Sequence, residues 1–438
     1  MRPDAIVIGA SVAGLAAAAT LARAGKQVLL LEAEAAPPEP FGVLDDLDPQ
    51  MVSELALIQH GLRFSARDLP LTALRPGEPS LTLGRDRHDA ARAIAVLSAA
   101  DAKAWPLFRQ SLFAQARKLR RFWWSALKEG TPHWVLDGTA GKEAFDRLCL
   151  TGADAYLGAR FESDALNAAL LWDATLGGFA PSEPGSALAL LWRAAGEMAG
   201  LQGAAAMAVP GTLMASLRLA ARPAQLRAYA RVTRILATPG AVEGVVLEDG
   251  ETIMAPLVLS ALSADATNIL RGLAPAPGPR LGEARLLLTL AEPVTLAPAR
   301  YRIAAQAESF LTAHEEARAG RLPSEPVLEF ALLDPHHLAV TLRPFPATPP
   351  PGWRALAAAQ AVRAINRHVP GMARSLSHVA FQLSSRRASL AQLLAPAGAR
   401  ILTGTEGLYL CGADAEPVAG VSGRAARIAA SFALQERP

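Results

Sequence analysis

The sequence predicts an α/β protein, on three observations. Residues 5–32 read as strand, glycine-bearing turn, alanine-rich helix and second strand. Residues 407–434 repeat the strand–turn–helix order at the other end of the chain. Between them, helical spacing and strand alternation mix without any internal repeat.

Ala5-Ile6-Val7-Ile8 is a short β-branched run of the kind that forms a buried parallel strand. Gly9-Ala10-Ser11-Val12-Ala13-Gly14 follows at once, then a helix from Leu15 to Ala24, closed by Gly25. Gln27 to Leu31 is the second strand, and it ends at Glu32. This is a Rossmann-like βαβ unit with the dinucleotide-binding layout. Gly9 permits the tight turn, and Gly14 lets helix and sheet approach closely. The first turn of the helix, with Ser11 and Ala13, presents N–H groups and a positive dipole end to a pyrophosphate. Glu32, roughly 20 residues after the turn, is placed to accept hydrogen bonds from a ribose and to repel a 2′-phosphate. Ser11 replaces the middle glycine of the motif, where backbone comes closest to the pyrophosphate, so weakened binding is expected. A βαβ unit without nucleotide is the bland alternative.

The segment GLYLCGADAEPVAGVSGRAARIAA, residues 407–430, ends a strand in Gly412-Ala413-Asp414 and continues through Gly420-Val421-Ser422-Gly423 into an alanine-rich helix. The last helix is expected to point its N-terminus at the cofactor, with Asp414 near hydroxyls on the pyrophosphate side. Backbone N–H groups around Val421 and Ser422 would reach a flavin edge. This segment resembles the closing FAD motif of the phytoene-desaturase-like flavoprotein oxidoreductases, which include carotenoid desaturases and isomerases. LDPQMVSELALIQHGLRF, RHDAARAIAVLSAADAKAW, VPGTLMASLRLAA and RVTRILATPGAVEGVVLEDGETIMAPLVLSAL are similar to the same group, above all to its branch called pyridine nucleotide-disulfide oxidoreductase domain protein 2. The resemblance runs from residue 5 to about residue 434. It implies FAD as cofactor and an apolar, isoprenoid- or carotenoid-like substrate. It also implies that Val232 contacts adenine through its backbone, and Val232 as plain core is the competing reading. The family's glycine pair after the ribose-binding acid is absent, and Val418 and Ala419 stand where glycines are common. Both departures bear on turnover.

The FAD-binding domain is therefore expected to be discontinuous, from residues 1–75, 205–275 and 395–438. Residues 76–204 and 276–394 would form a mixed α+β substrate or cap domain. Helical spacing runs through Ala90–Leu112, Leu188–Met198 and Ala355–His368, and strands are expected at Arg231–Leu236, Ala241–Leu247, Pro256–Ala261, Arg285–Leu290 and Val327–Leu333.

The 438 residues exceed one small core, and 51% hydrophobic against 19% charged residues is a globular composition. A net charge of +3 gives no field for nucleic acid. The two cysteines, Cys149 and Cys411, build neither a disulfide framework nor a zinc cluster, which fits a reducing cytoplasm. No export signal or apolar run long enough to span a membrane is read. Arg117-Lys118-Leu119-Arg120-Arg121-Phe122-Trp123-Trp124 combines cations with aromatics. Peripheral membrane docking is one reading of it, and a cap helix with a solvated basic face and a buried aromatic face is the other. The scattered histidines suggest no metal site, and Asp45, Asp46 and Asp48 are read as helix capping. No catalytic constellation is evident. A flavin-dependent dehydrogenase or desaturase is the first reading. A non-catalytic member serving as a binding or assembly partner is the second, and a NAD-dependent dehydrogenase is the third.

Overall fold

The computed structural model describes residues 2–34, 42–44, 46–75, 77, 79–132, 138–199, 205–238, 240–276, 280–304, 306–387, 389–418 and 422–436. Its first layer is a five-stranded sheet. Strands β1 (Ala5–Ile8), β2 (Val28–Leu31), β3 (Gln225–Arg227), β4 (Leu257–Ser260) and β5 (Leu408–Leu410) lie in the order β5-β4-β1-β2-β3. All four pairings are parallel. Every residue of β1, β2 and β4 is buried, as continuous apolar runs require in a sheet covered on both faces.

Helix α1 (Val12–Arg23) crosses from β1 to β2 and packs against the last helix, α2 (Arg424–Glu436), and against Thr212–Ala220. Its alanines are the reason. Ala16, Ala17, Ala18 and Ala19 are at most 1% exposed, so the helix sits on the sheet without side-chain spacers. Gly25 ends it in the left-handed region at φ +86°, and the Lys26 N–H returns to the carbonyl of Leu21. The other face of the sheet is covered by an antiparallel meander, Val232–Ala237, Val242–Leu247 and Thr252–Met254, whose Ile235, Val245 and Leu247 pack on Ile6, Ile8, Leu29 and Val258.

A seven-stranded sheet forms the second half of the molecule, in the order Leu376–Arg386, Leu281–Leu290, His337–Pro346, Leu328–Asp334, Arg300–Ile303, Leu71–Leu74, Leu81–Leu83. Only the pairing of Arg300–Ile303 with Leu71–Leu74 is parallel among these. Strand alternation sorts its two faces. Ala284, Leu286, Leu288, Tyr301, Phe330 and Val340 point to one side, onto Trp353, Ala357, Ala361 and Ile365 of a single helix. Glu283, Arg300, Arg302 and Glu329 point to the other, toward Asp164–Ala174 and Ser186–Ala199. There Arg302 binds Glu329 at 2.6 Å, Asp173 at 2.7 and 3.2 Å and the Ala169 carbonyl at 2.6 Å. Arg343 binds Glu283 at 3.0 Å and the Trp172 carbonyl at 2.9 Å, with its guanidinium 4.2 Å from the Trp172 ring centre. Burial would raise the Glu283 carboxyl, but Arg285 and Arg343 bring it down to about 2.

Two expectations change. Leu71–Leu74 belongs to the seven-stranded sheet, although the sequence reading ends the first FAD-binding segment just after it. The aromatic half of the Arg117–Trp124 segment is interior. Phe122 and Trp123 are fully buried at the end of the long helix Ala99–Trp123, with the Trp123 indole N–H on the Leu393 carbonyl at 2.7 Å. Trp124 lies under Arg424. Arg117 and Arg121 are exposed on the same helix, whose Phe122 and Trp123 are buried. No described helix is long and apolar enough to cross a membrane.

Gly14 and Gly25 separate two kinds of glycine requirement. A Cβ on Gly14 would stand 1.8 Å from the Gly9 carbonyl oxygen, whereas one on Gly25 meets nothing within 4 Å. Gly14→Ala should therefore cost about 3 kcal/mol or more, through displacement of α1. Gly25→Ala should cost about 1 kcal/mol, from backbone conformation alone. Equal denaturation midpoints for the two variants would contradict this contrast.

Candidate functional site

The site lies at the carboxyl ends of β1 and β2, where the dinucleotide-binding layout places its ligand. Gly9 leaves β1 at φ +90°, and its N–H is held by the Leu31 carbonyl at 2.8 Å. Ser11 caps α1, its hydroxyl accepting from the Gly14 N–H at 3.5 Å, and it is exposed. The N–H groups of Val12 and Ala13 belong to the first turn and have no intrahelical acceptor. They stand at the positive end of the helix dipole beside an exposed serine, with no acidic side chain in that turn. Glu32 is half-buried at the end of β2. One carboxylate oxygen accepts from the Ala10 N–H at 2.7 Å and the other from the Glu34 N–H at 3.3 Å. Each carboxylate oxygen has a second acceptor position, so Glu32 is oriented toward the turn with capacity left for ribose hydroxyls.

The middle of the chain arrives at the same place. The Ala230 N–H donates to the Glu32 carbonyl at 2.8 Å, and the Tyr229 N–H to that of Glu34 at 3.4 Å. Val232 begins the meander and packs against the cluster that holds Ile8 and Leu31. Gly9, Ser11, Ala13, Gly14, Glu32 and Val232 are thus gathered in one region. They fit the adenosine diphosphate half of a dinucleotide. No His, Cys, Asp or Glu cluster among the described residues could hold a metal ion. Cys149 and Cys411 are free and buried, and burial pushes the Cys149 thiol up to about 12.

The closing motif is also adjacent, because β5 extends the sheet beyond β4. Gly412 is required there, since a Cβ would stand 2.5 Å from the Ala261 carbonyl oxygen. Ala413 is exposed, and its carbonyl accepts from Arg386 at 2.7 Å. Asp414 accepts from the Ala264 N–H at 3.0 Å, so it caps the helix Ala264–Leu270. Gly420 and Val421 lie outside the described residues.

Ser422 and the start of α2 are tied to the protein's own side chains. Ser422 is buried; its hydroxyl donates to Glu416 at 3.0 Å and accepts from the Arg424 N–H at 3.1 Å, and its carbonyl accepts from the Asp48 N–H at 2.9 Å. The same Glu416 oxygen accepts from the Ala425 N–H at 3.1 Å. Two of the first donors of α2, the N–H groups of Arg424 and Ala425, are therefore spent on the protein's own side chains. Arg424, 1% exposed, binds Asp46 through two hydrogen bonds of 2.8 and 2.9 Å and stacks 3.8 Å over Trp124. Arg427 binds Asp48 at 2.9 Å. Asp48 does cap Pro49–Glu54, as read from sequence, but Asp46 is an ion-pair partner and not a cap. Sequence reasoning missed Arg424 and Glu416. An arginine in an alanine-rich helix start was the available signal.

The comparisons agree with this geometry. Residues 7–37 match a family described as an NAD(P)-binding Rossmann-like domain. The chain is 29% identical, over 314 residues, to the mouse (Mus musculus) pyridine nucleotide-disulfide oxidoreductase domain-containing protein 2. The match covers 60% of this chain and 54% of that protein, so the chain spans about half the length of this relative. Among solved structures, an oxidoreductase from Methanosarcina mazei superposes with a TM-score of 0.64 at 15% identity, over 99% of this chain and 100% of the other. The cyclohexylamine oxidase of Brevibacterium oxydans IH-35A superposes with a TM-score of 0.58 at 17% identity, over 100% and 99%. The fold is therefore the Rossmann-like α/β fold of dinucleotide-binding oxidoreductases.

Burial raises the Glu416 carboxyl, and Arg424 and Arg400 only partly oppose it. A folded-state pKa above the ordinary 4.5 means that the folded protein holds this proton more tightly than the unfolded chain. The stability it contributes is complete below 4.5 and is lost as pH rises through the folded value. Glu416→Gln, which keeps an acceptor for Ser422 and Ala425, should lose less stability than the wild type as pH is raised from 4.5 to neutral. Denaturant unfolding at both pH values checks this, and parallel pH dependence would remove Glu416 from the account.

Proposed function

We propose that this chain binds FAD, chiefly by its adenosine diphosphate half, and works as a flavin-dependent oxidoreductase of dehydrogenase type. One observation carries the reading: the Gly9–Gly14 turn, the Glu32 carboxylate and the backbone at 229–232 converge at the ends of two central parallel strands. The Val12 and Ala13 N–H groups would hold the pyrophosphate, and Glu32 a ribose hydroxyl. The backbone beside Val232 would line the adenine side. When bound, a flavin supplies a hydride acceptor. The chain's own part is to fix that group against the second half of the molecule and keep water out. The discontinuous FAD-binding domain and its cap belong to this proposal, with Leu71–Leu74 counted with the cap whose sheet it joins. An apolar, isoprenoid- or carotenoid-like substrate drawn from a membrane surface, with a cytoplasmic location, rests on the resemblance alone.

A specific observation favours a second reading. The closed network of Glu416, Ser422, Arg424 and Asp46 at the start of α2 suits a protein that keeps the nucleotide and serves as a binding or assembly partner without turnover.

Protein purified without added cofactor separates these readings. The first expects a flavin spectrum that bleaches with a suitable donor; the second expects bound flavin that no donor reduces. Released NAD in place of FAD would overturn both. Glu32→Ala should weaken FAD binding by about 1–3 kcal/mol, through loss of a partly buried hydrogen bond to the ribose. Unchanged affinity by titration would take Glu32 out of the site.

A further inference from the structure

A small cavity of about 20 Å³ lies where the seven-stranded sheet meets the closing motif. Gly177, Leu281, Glu283, Arg343, Ser384 and Arg386 line it. Two contacts place it there. Arg386 ends the edge strand Leu376–Arg386, and its Nη1 donates to the carbonyls of Ala413 at 2.7 Å and Glu416 at 3.4 Å. Gly177 is packed so that a Cβ would stand 3.0 Å from the Pro417 carbonyl oxygen. Ser384 is exposed and marks the side open to solvent.

The two arginines of the wall are used unequally. Arg343, 5% exposed, donates to Glu283 at 3.0 Å and to the Trp172 carbonyl at 2.9 Å, with its guanidinium over the Trp172 ring. Its Nε is buried without an acceptor. Arg386 uses Nη1 alone. Asp414, Glu283 and Glu416 attract Arg386 by charge, without a hydrogen bond to it, and burial opposes the cation. Those carboxylates serve other donors: the Ala264 N–H on Asp414, Arg285 and Arg343 on Glu283, Ser422 and the Ala425 N–H on Glu416. Nε and Nη2 of Arg386 are the adjacent pair of donors that can take both oxygens of one carboxylate, and the protein supplies them with no acceptor.

Charge and size define what completes the site. The wall holds two guanidinium groups against the single carboxylate of Glu283, a surplus of one positive charge. A monoanion balances it, whereas a dianion would be repelled by Glu283. At roughly 10–15 Å³ for each water-sized centre, the cavity holds about one or two of them. That is room for a carboxylate head and not for the chain attached to it, which must run toward the exposed Ser384.

We propose that Arg386 anchors an organic monocarboxylate in this cavity. Both carboxylate oxygens accept from Nε and Nη2, and the carbon chain leaves past Ser384. The assignment goes beyond the cofactor reading and holds whether or not the chain carries flavin.

The test is a calorimetric titration of the whole chain, as purified, with sodium acetate, sodium butyrate, neutral butyramide and inorganic phosphate at fixed pH and ionic strength. Acetate and butyrate should each saturate a single site, because only the head enters. Butyramide and phosphate should bind more weakly than either. Arg386→Lys keeps the charge but loses the paired donors, and should weaken butyrate binding about tenfold. Arg386→Gln should abolish it. Ser384→Tyr, at the rim, should obstruct the chain and weaken butyrate more than acetate. Circular dichroism reports the fold of each variant, and Ser384→Tyr, which leaves Arg386 in place, locates the site if replacing Arg386 unfolds the protein. Absence of saturable carboxylate binding to the wild type, equal binding of butyramide, preference for phosphate, or wild-type affinity in a folded Arg386→Gln would each overturn the proposal. So would a Ser384→Tyr variant that binds butyrate and acetate as the wild type does.

Discussion

The contact on which the rest depends is the approach of helix α1 to the turn that leaves β1. With no side chain at Gly14, the helix comes so close that an added Cβ would overlap the Gly9 carbonyl oxygen. That closeness seats the alanine-rich α1 between the sheet, α2 and Thr212–Ala220, with Ala16, Ala17, Ala18 and Ala19 all buried. It sets α1 beside α2, so the two ends of the chain pack together. It also fixes β1 at the centre, between β2 from the first 31 residues and β4 from residues 257–260. Segments far apart in sequence are thus hydrogen-bonded through a single four-residue strand.

The second half of the molecule is tied down differently. One face of the seven-stranded sheet is ordinary apolar core. The other is an ionic layer in which Arg302 and Arg343 reach across to Asp164–Ala174. Buried ion pairs cost desolvation that attraction alone offsets poorly, so extra hydrogen bonds are needed to satisfy every proton. Arg302 has them in Asp173, Glu329 and the Ala169 carbonyl. Such a layer contributes less net stability than a packed apolar one of the same area. Arg386, from the edge strand of that sheet, binds the Ala413 carbonyl and so joins the ionic layer to the closing motif.

The two ends of the nucleotide region are chemically unlike. At α1 the first turn is bounded by an exposed serine and contains no acidic residue of its own. At α2 the Arg424 and Ala425 N–H groups are satisfied by Ser422 and Glu416, and an arginine–aspartate pair closes over them. The motif after the strand is similar in outline at both ends, yet one helix start has first-turn N–H groups open to an anion, whereas at the other the Arg424 and Ala425 N–H groups are satisfied by side chains of the protein.

The sequence alone determined the βαβ unit, the acid at the end of β2, the meander and the second strand–turn–helix, because each is set by local rules: apolar runs, glycine at a positive φ, and helical spacing. It also brought Glu32 and Val232 to attention as residues that now share one region. Tertiary structure decided the rest. A charge written into a strand, such as Arg302 or Glu329, reads locally as a solvent-facing residue, and only the arrival of Asp173 from another element makes it interior. The aromatics of Phe122 and Trp123 could face lipid or core, and the choice depends on which helices cover them. Asp46 and Arg424 stand 378 positions apart, a separation at which no local pattern announces a pair. Periodicity reports what a segment needs to bury, whereas the partner that buries it is set by the path of the whole chain.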